Sequence, residues 1–353
     1  MRRTMAAAVL ALLGGAAMAG AAELKKGTPE VKSISALAFS PEGILFIGDA
    51  QTASLTAVDT GDTKATGKED IKVEKIDSML ADKLGTTAAN ITINDVKVNP
   101  ASGNVYLAVT RKGAGGGSLV MKLTRDGKLS EFALKDVPFA SVPIQNLSDK
   151  NKQDAITSLA YVEGKVIIAA LSNEEFSSTL RTIAYPFADA EKPTSVEFYH
   201  SAHGKFDTSS PIRTFVPYKI SGADFLLAAY TCTPLVRVPV ADLKLGAKIK
   251  ATTIAELGNR NRPLDMIVYT KDKQDYILMA NDRRGVMKIP AEPFAKADGI
   301  TDSVKGGGTA GVKFEAIKEL VGVMQLDKLD SERAVVLIQA EDKSLCLKSI
   351  PLP

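Results

Sequence analysis

The sequence predicts an all-β fold: a six-bladed β-propeller with four-stranded blades, closed by an N-terminal strand that completes the last blade. Three observations lead to this prediction. A module consisting of a short apolar strand, a turn, a strongly apolar strand, a polar loop and a third strand recurs six times, with spacings of 51–63 residues. Periods near 50 residues are typical of propeller blades. The last module is one strand short, and one segment near the N-terminus belongs to no module.

The first module shows the pattern most plainly, with strands predicted at residues 34–39, 44–48 and 54–59. The first strands of the other five modules begin at Ile93, Ile156, Ile212, Pro263 and Val321. Strands buried on both faces are mostly apolar and β-branched. This composition holds for the predicted second strands at residues 105–109, 165–171, 224–230, 275–280 and 334–340.

Five modules continue into a fourth, outer strand, predicted at residues 71–76, 129–134, 195–201, 249–257 and 312–320. The sixth module stops after its third strand, and residues 23–26 can supply the missing one. This pairing would close the ring and cover exposed sheet edges. Residues 77–84 are predicted to form a short helical insertion outside the propeller, because the apolar residues there follow helical spacing.

Residues 1–21 have the pattern of a secretory signal peptide, so residues 22–353 are expected to form a single propeller domain. A basic start, Arg2-Arg3, precedes a short apolar stretch and a small-residue cleavage site. The arginine pair leaves a twin-arginine signal open as an alternative. No stretch reaches the ~18 apolar residues of a membrane span. We expect no membrane insertion and a bacterial periplasmic or extracellular location.

The charge and the cysteine content of the chain argue against a nucleic-acid-binding protein and against a fold held together by disulfides. The chain carries +3, and removing Arg2 and Arg3 leaves 44 − 2 = 42 basic against 41 acidic residues. This near-neutral balance gives no bulk attraction to nucleic acid. Cys232 and Cys346 lie in modules predicted not to be adjacent, so no disulfide is expected. We expect a monomer that takes a small-molecule or protein ligand at its top face.

Polar residues concentrate in the loops that open on one face of a propeller, which is where a rigid scaffold positions function. Guanidinium groups on such a rim bind carboxylate or phosphate with two hydrogen bonds. The ligand-binding candidates are Arg213, Asn259, Arg260, Asn261, Arg262 and Arg283. The alternative is that these arginines form salt bridges between blades, to Glu174, Glu175 or Asp282.

Two sets of residues are candidates for holding a metal. Asp95 and Asp265 occupy the same position of the first strands in modules two and five, which would face each other across a six-fold ring. They could share a cation there, or they could bind backbone groups at the blade starts. His200 and His203, with Asp207 nearby, suit a transition metal or proton transfer, or hydrogen bonds that order a loop. Cys232 is either a soft metal ligand beside them or a buried small apolar residue.

Other cofactors are not indicated. The sequence has no Cys-x-x-Cys-His motif, so covalent haem is not expected. The glycines at residues 113–117 precede a predicted strand rather than a helix, and this arrangement does not form the phosphate cradle of a nucleotide site. A divalent metal ion, either Ca²⁺ or a transition metal, remains the cofactor that the residues allow.

With six such modules over its whole mature length, the chain resembles the six-bladed propellers of the gluconolactonase, lactonase and NHL-repeat type. The resemblance is architectural. Lactonase-like enzymes of this type hold a divalent cation at the central channel with Glu, Asn and Asp side chains. The resemblance implies such a cation here, and the candidate ligands are Asp95, Asp265, Asn173 and Glu174. Two functions stay open: an exported propeller that binds a small anion, a metal ion or a partner protein at its polar rim, or a metal-dependent, lactonase-like hydrolase.

Overall fold

Six antiparallel sheets surround a central channel in the computed structural model, which describes residues 23–113, 115–187, 192–232 and 234–353. The predicted signal peptide, residues 1–21, lies outside the described residues. Within these ranges no helix is both long and apolar enough to cross a membrane. The predicted all-β, six-bladed propeller with four-stranded blades is confirmed.

The strands are β1 (Lys25–Gly27), β2 (Ile34–Phe39), β3 (Ile44–Asp49), β4 (Ser54–Asp59), β5 (Lys72–Val73), β6 (Ile91–Val98), β7 (Val105–Arg111), β8 (Gly117–Leu123), β9 (Leu129–Glu131), β10 (Val137–Pro143), β11 (Ile156–Val162), β12 (Lys165–Leu171), β13 (Ser178–Ala184), β14 (Thr194–His200), β15 (Lys205–Asp207), β16 (Ile212–Ile220), β17 (Ala223–Tyr230), β18 (Pro234–Pro239), β19 (Lys248–Lys250), β20 (Thr252–Leu257), β21 (Pro263–Lys271), β22 (Gln274–Asn281), β23 (Gly285–Pro290), β24 (Thr309–Gly311), β25 (Glu315–Ile317), β26 (Val323–Lys328), β27 (Arg333–Gln339) and β28 (Leu345–Pro351). The one α-helix of the described residues is α1 (Ile76–Lys83). Short 3-10 turns occur at Ala88–Asn90, Lys152–Asp154, Val240–Asp242, Glu292–Ala295 and Lys305–Gly307.

Each predicted module supplies the three inner strands of one blade, and the blades are numbered after their modules. From the channel outward the sheets are β2-β3-β4-β10 (blade 1), β6-β7-β8-β9 (blade 2), β11-β12-β13-β14 (blade 3), β16-β17-β18-β20 (blade 4), β21-β22-β23-β25 (blade 5) and β26-β27-β28-β5 (blade 6). Short extra strands extend blades 1, 3 and 4 on the outside. The predicted first strands begin at the observed residue in four modules and within two residues of it in the other two.

The blades do not follow one another around the ring in sequence order. The inner strands are neighbours in the order β2, β11, β16, β21, β26, β6 and back to β2. Blade 2 therefore lies between blades 6 and 1, and blade 3 follows blade 1. The expectation that modules two and five face each other is wrong, because only blade 6 separates them.

The closure of the ring also differs from the prediction. The N-terminal strand β1 pairs with β10 on the outside of blade 1, with Lys25 opposite Phe139, and does not complete blade 6. The fourth strand of blade 6 is β5, which pairs Val73 with Leu347. The segment at 71–76 was expected to be the outer strand of blade 1, but that edge is covered by β10. Strand β10 pairs with β4 over five residue pairs, whereas β5 pairs with β28 over only two. The strand that forms the longer ladder therefore occupies the outer edge of blade 1.

Helix α1 packs over the junction of blades 2 and 6, where Ile76 and Leu80 are fully buried. They lie in one apolar cluster with residues of both blades, including Val96 and Leu337. Gly85 follows the helix with a φ of +61°, a conformation that glycine adopts without strain. The helix thus joins β5 of blade 6 to the first strand of blade 2.

Candidate functional site

Carboxylates of the inner strands connect neighbouring blades. A β-bulge precedes Asp95 in β6, and another precedes Asp265 in β21. The Asp95 Oδ2 atom accepts a hydrogen bond from the backbone N–H of Leu37 at 2.7 Å, and the Asp265 Oδ2 atom accepts one from Leu326 at 3.3 Å. Each bond crosses to the next blade, so these aspartates take the backbone-binding role that the sequence left open.

A third carboxylate, which we did not predict from the sequence, also links two blades. Asp327 in β26 accepts a hydrogen bond from the backbone N–H of Val98 in blade 2, at 2.7 Å. Blades 5, 6 and 2 are thereby joined in succession, since Asp265 reaches blade 6 and Asp327 reaches blade 2. We call Asp95, Asp265 and Asp327, together with Lys97, which lies between them, the neck of the channel.

Lys97 is the cationic residue of the neck. Its Nζ atom lies 3.4 Å from Asp95 Oδ1 and 3.2 Å from Asp265 Oδ2, with only 19% of the side chain exposed. Because side chains alternate along a strand, Lys97 projects on the same face of β6 as Asp95, two residues earlier. Asp95 and Asp265 therefore share the Lys97 ammonium group, at the point where the sequence analysis expected a metal ion.

The neck holds more negative than positive charge. Burial alone would lower the pKa of Lys97, but the charges of Asp265, Asp95 and Asp327 together raise it well above its usual value. Burial also raises the pKa of Asp265, and the neighbouring carboxylates raise it further against the opposing effect of Lys97. Burial raises the pKa of Asp327 in the same way. Lys97 therefore stays charged and offsets part of the repulsion among the three aspartates.

The channel widens on both sides of the neck, which itself encloses about 50 Å³. On one side a cavity of about 620 Å³ is lined by the later residues of the inner strands, including Tyr161 and Phe215. On the other side a cavity of about 820 Å³ lies at the starts of the inner strands. The second cavity is on the rim to which the sequence assigned ligand binding.

We call this larger cavity the basic mouth. Its charged lining residues are Lys112, Lys152, Asp154, Arg213 and Arg262, so four cationic side chains face a single carboxylate among the described lining residues. Uncharged hydrogen-bonding side chains fill the spaces between them, namely Ser33, Ser35, Gln51, Thr92, Asn94, Thr110, Thr157 and Gln325. The cavity is within the size range of small-molecule sites.

Arg213 and Arg262 are the two predicted ligand-binding residues that reach the basic mouth. Arg213 forms an ion pair with Asp154 at 2.5 Å and donates from Nε to the Thr231 hydroxyl at 3.0 Å. Burial and the positive charge of Arg213 lower the pKa of Arg262, against the attraction of Asp154 and Asp282. The two guanidinium groups therefore repel each other, and an anion between them would relieve that repulsion.

The other four predicted ligand-binding residues do not line the mouth. Asn261 is buried and organises the loop, because its Nδ2 donates to the Gly258 carbonyl at 2.8 Å and its Oδ1 accepts from Asn281. Asn259 is half-buried beside it, while Arg260 and Arg283 are exposed. The sequence analysis missed Lys112, Lys152 and Asp154, although they occupy the same class of loop as the predicted residues.

Asn173 and Glu174 are not brought near Asp95 and Asp265. Both are exposed after β12, the second strand of blade 3, and line none of the channel cavities. Asn173 donates to the Leu147 carbonyl at 2.9 Å, and Glu174 accepts from Asn146 at 3.0 Å. The four residues that the lactonase resemblance would place around one cation are divided between the neck and the rim.

His200 and His203 do lie together, at the end of β14 and in the turn after it, with ring centroids 3.9 Å apart. Cys232, in the loop between β17 and β18, joins them, and the potential ligand atoms of the three residues all lie within 4.8 Å of one another. Histidine nitrogens and a cysteine sulfur are suitable ligands for a transition metal. Among the described residues, this cluster is the candidate metal site.

No family model and no curated protein matches the sequence. Solved structures with a related fold include a putative oxidoreductase (glucose dehydrogenase) from Thermus thermophilus, with 11% identity over 93% of this chain and 99% of that one and a TM-score of 0.35. Others are the soluble aldose sugar dehydrogenase from Escherichia coli (15% identity, 93% and 99% coverage, TM-score 0.36) and the GH43 endo-arabinanase from Bacillus licheniformis (12%, 75% and 94%, 0.39).

Proposed function

We propose that the chain is an exported binding protein that takes a small organic anion in the basic mouth. The observation that carries this proposal is the charge of the cavity, where Lys112, Lys152, Arg213 and Arg262 are opposed by Asp154 alone among the described lining residues. Low-dielectric walls focus such a field and attract ligands of opposite sign. Export rests on the signal-peptide pattern of residues 1–21.

The arginines give the site its preference for carboxylate or phosphate. Asp154 and Thr231 hold Arg213 through Nη1 and Nε, which fixes the plane of its guanidinium group. Arg262 lies across from the same carboxylate and is repelled by Arg213. The donors of Arg213 that remain free and the guanidinium group of Arg262 together provide paired donors for a planar or tetrahedral oxyanion.

The neutral part of the lining indicates that the rest of the ligand is polar. Serine, threonine, asparagine and glutamine side chains lie between the cationic groups. Gln325 donates from Nε2 to the Asn94 carbonyl at 2.7 Å, while its buried Oε1 has no hydrogen-bond partner among the described residues. An unpaired buried acceptor is costly, and a hydroxyl group on the ligand would satisfy it.

Binding is favoured over hydrolysis because the lactonase-like mechanism needs a metal cation between the channel carboxylates. Lys97 supplies a protein cation at that point, and Asp95, Asp265 and Asp327 are each committed to a backbone N–H of the next blade. These carboxylates therefore act as links between blades.

Calorimetric titration with citrate and with inorganic phosphate tests the proposal. We expect both anions to bind and neutral glucose not to bind. The substitution Arg262→Gln should weaken citrate binding by about tenfold, since a hydrogen bond to a charged group contributes about 1.5–3 kcal/mol.

The matched control is Arg283→Gln, which removes the same charge from an exposed position outside the mouth. This variant should bind citrate as the unmodified protein does. Equal losses in both variants would show that only the overall charge matters, and failure of both anions to bind the unmodified protein would overturn the proposal.

A further inference from the structure

We infer that His200, His203 and Cys232 bind a single transition-metal ion, and that their donor set suits Zn²⁺. This site does not depend on anion binding, although it lies on the same rim. The backbone N–H of Cys232 donates to the carbonyl of Asn261, the residue before Arg262, at 2.8 Å. The metal site would therefore connect blades 3 and 4 just behind the basic mouth.

The three ligand atoms are already close to the spacing that zinc requires. They lie within 4.8 Å of one another. Ligands at about 2.0–2.3 Å from a tetrahedral zinc are roughly 3.3–3.8 Å apart. Binding one ion requires side-chain rotations of His203, in a turn, and Cys232, in a loop, which close the remaining gap of about 1 Å and widen the 31° angle between the two imidazole rings.

His200 is oriented as metal-binding histidines usually are. Its Nδ1 atom pairs with Asp207 Oδ2 at 3.2 Å, an arrangement that fixes the ring and its tautomer. Asp207 is in turn held by the backbone N–H groups of Ser209 and Ser210, both at 2.9 Å. A carboxylate behind the histidine and hydrogen bonds behind the carboxylate form the typical outer shell of a zinc ligand.

The second nitrogen of His200 is the observation that points to a ligand. His200 is 1% exposed, and its Nε2 atom is buried with no hydrogen-bond partner among the described residues. A purely structural histidine, ordering the loop through Asp207, would leave this nitrogen unsatisfied at a cost. Coordination of a metal by Nε2 removes that cost and uses both nitrogens.

The charges of the proposed ligands and of Asp207 balance a divalent ion. Cysteine binds metal as a thiolate, and its proton is released to solvent. One thiolate and the Asp207 carboxylate together match two positive charges. Three protein ligands leave the fourth position of a tetrahedral ion to water, as in open zinc sites.

Cobalt(II) is the probe, because its tetrahedral thiolate complexes absorb visible light and show a sulfur-to-metal charge-transfer band. We expect the purified chain, stripped with chelator, to bind one equivalent of Co²⁺ with this band and to release it on addition of Zn²⁺. The variant Cys232→Ser should lose the band and bind Zn²⁺ at least about tenfold more weakly. The matched control Cys346→Ser, which changes the other free cysteine, should keep both properties.

A second measurement follows the reactivity of the two cysteines. Zn²⁺ should protect Cys232 but not Cys346 from alkylation by iodoacetamide in the unmodified protein, as mapped by peptide mass spectrometry. The variant His203→Gln should abolish this protection. Absence of stoichiometric Co²⁺ and Zn²⁺ binding, or equal protection of both cysteines, would overturn the inference.

Discussion

The neck and the basic mouth are consecutive parts of one channel, yet they differ in how their charged side chains are paired. In the neck, Lys97 lies between carboxylates that are also bonded to backbone N–H groups of the next blade. In the mouth, four cationic side chains surround one carboxylate, Asp154. In the neck, the charged groups pair with other groups of the chain, whereas the mouth has an excess of positive charge that can attract an anion.

This difference assigns the two regions to different tasks. The neck links blades 2, 5 and 6 with one another and blade 2 with blade 1, so its residues contribute to stability. The mouth has unpaired positive charge, so in the function that we propose its residues contribute to recognition. A substitution in the neck should therefore change the free energy of unfolding, and one in the mouth should change ligand affinity.

The largest effect is expected from Lys97→Met. The substitution leaves Asp95, Asp265 and Asp327 without their cation, and removing one partner of a buried charge cluster costs about 3–5 kcal/mol. The free energy of unfolding, measured with denaturant, should fall by that amount at neutral pH. Citrate affinity should change far less than it does in Arg262→Gln.

Lys328→Met is the matched control for this prediction. It removes an exposed ammonium group that lines the cavity on the far side of the neck. Its free energy of unfolding should stay within about 0.5 kcal/mol of the unmodified value. A loss below about 1 kcal/mol in Lys97→Met would contradict the structural role of the neck.

A smaller effect concerns pH. Because burial and neighbouring charges raise the pKa of Asp265, the folded state keeps its proton at pH values where the unfolded chain has lost it. The free energy of unfolding therefore falls as pH rises from about 4 through the folded pKa of Asp265. Asp265→Asn cannot titrate, so the total fall should be smaller in the variant, by up to about 3 kcal/mol, since burial raises the pKa of Asp265 to about 6 and each unit corresponds to about 1.4 kcal/mol.

Denaturant unfolding at several pH values between about 4 and 7 measures this slope. Asp327 remains in the variant with its own raised pKa, so part of the slope should persist. Identical slopes in the two proteins would show that Asp265 ionises normally and that the neck is more hydrated than its burial indicates.

The smallest effect is expected from Asp154→Asn. The change removes the negative charge of the single acidic group that we describe in the mouth, while the amide oxygen of the variant can still accept the hydrogen bond from Arg213 Nη1 that orients the guanidinium group. A unit charge about 8 Å from a ligand, at an effective dielectric constant of about 40, contributes roughly 1 kcal/mol. Citrate affinity by calorimetry should rise about fivefold. A decrease would mean that Asp154 is needed to hold Arg213 in its binding orientation.

The fold was largely predictable because each blade has its own local pattern. Alternating turns and apolar strands placed the first strands at Ile34, Ile156, Ile212 and Pro263, where they are observed. The order of blades around the ring was not predictable in this way. The periodicity of apolar residues indicates whether a segment forms a strand. It does not indicate which sheet edge the strand covers, so it could not predict that β5 joins blade 6 and β10 joins blade 1.

The site was only partly predictable for a related reason. Arg213 and Arg262, which line the basic mouth, were predicted because their loops open on that rim, and the same rule applied to every loop would have included Lys112 and Lys152. Lys97 was missed although its spacing of two from Asp95 places both on one face of a strand. Its contact with Asp265, by contrast, depends on the ring order.

The exchanged strands give the ring an order of assembly in time. A ribosome delivers the N-terminal part of a chain first, and blade 2 is complete once residues between Ile91 and Glu131 have emerged. Blade 6 must wait, because Ile71 meets Ser349 across 278 residues of sequence. Until then β5 has no sheet to join, and contacts of such long range slow folding. Strand β28 thus supplies the sheet edge for β5, a segment that is synthesised much earlier.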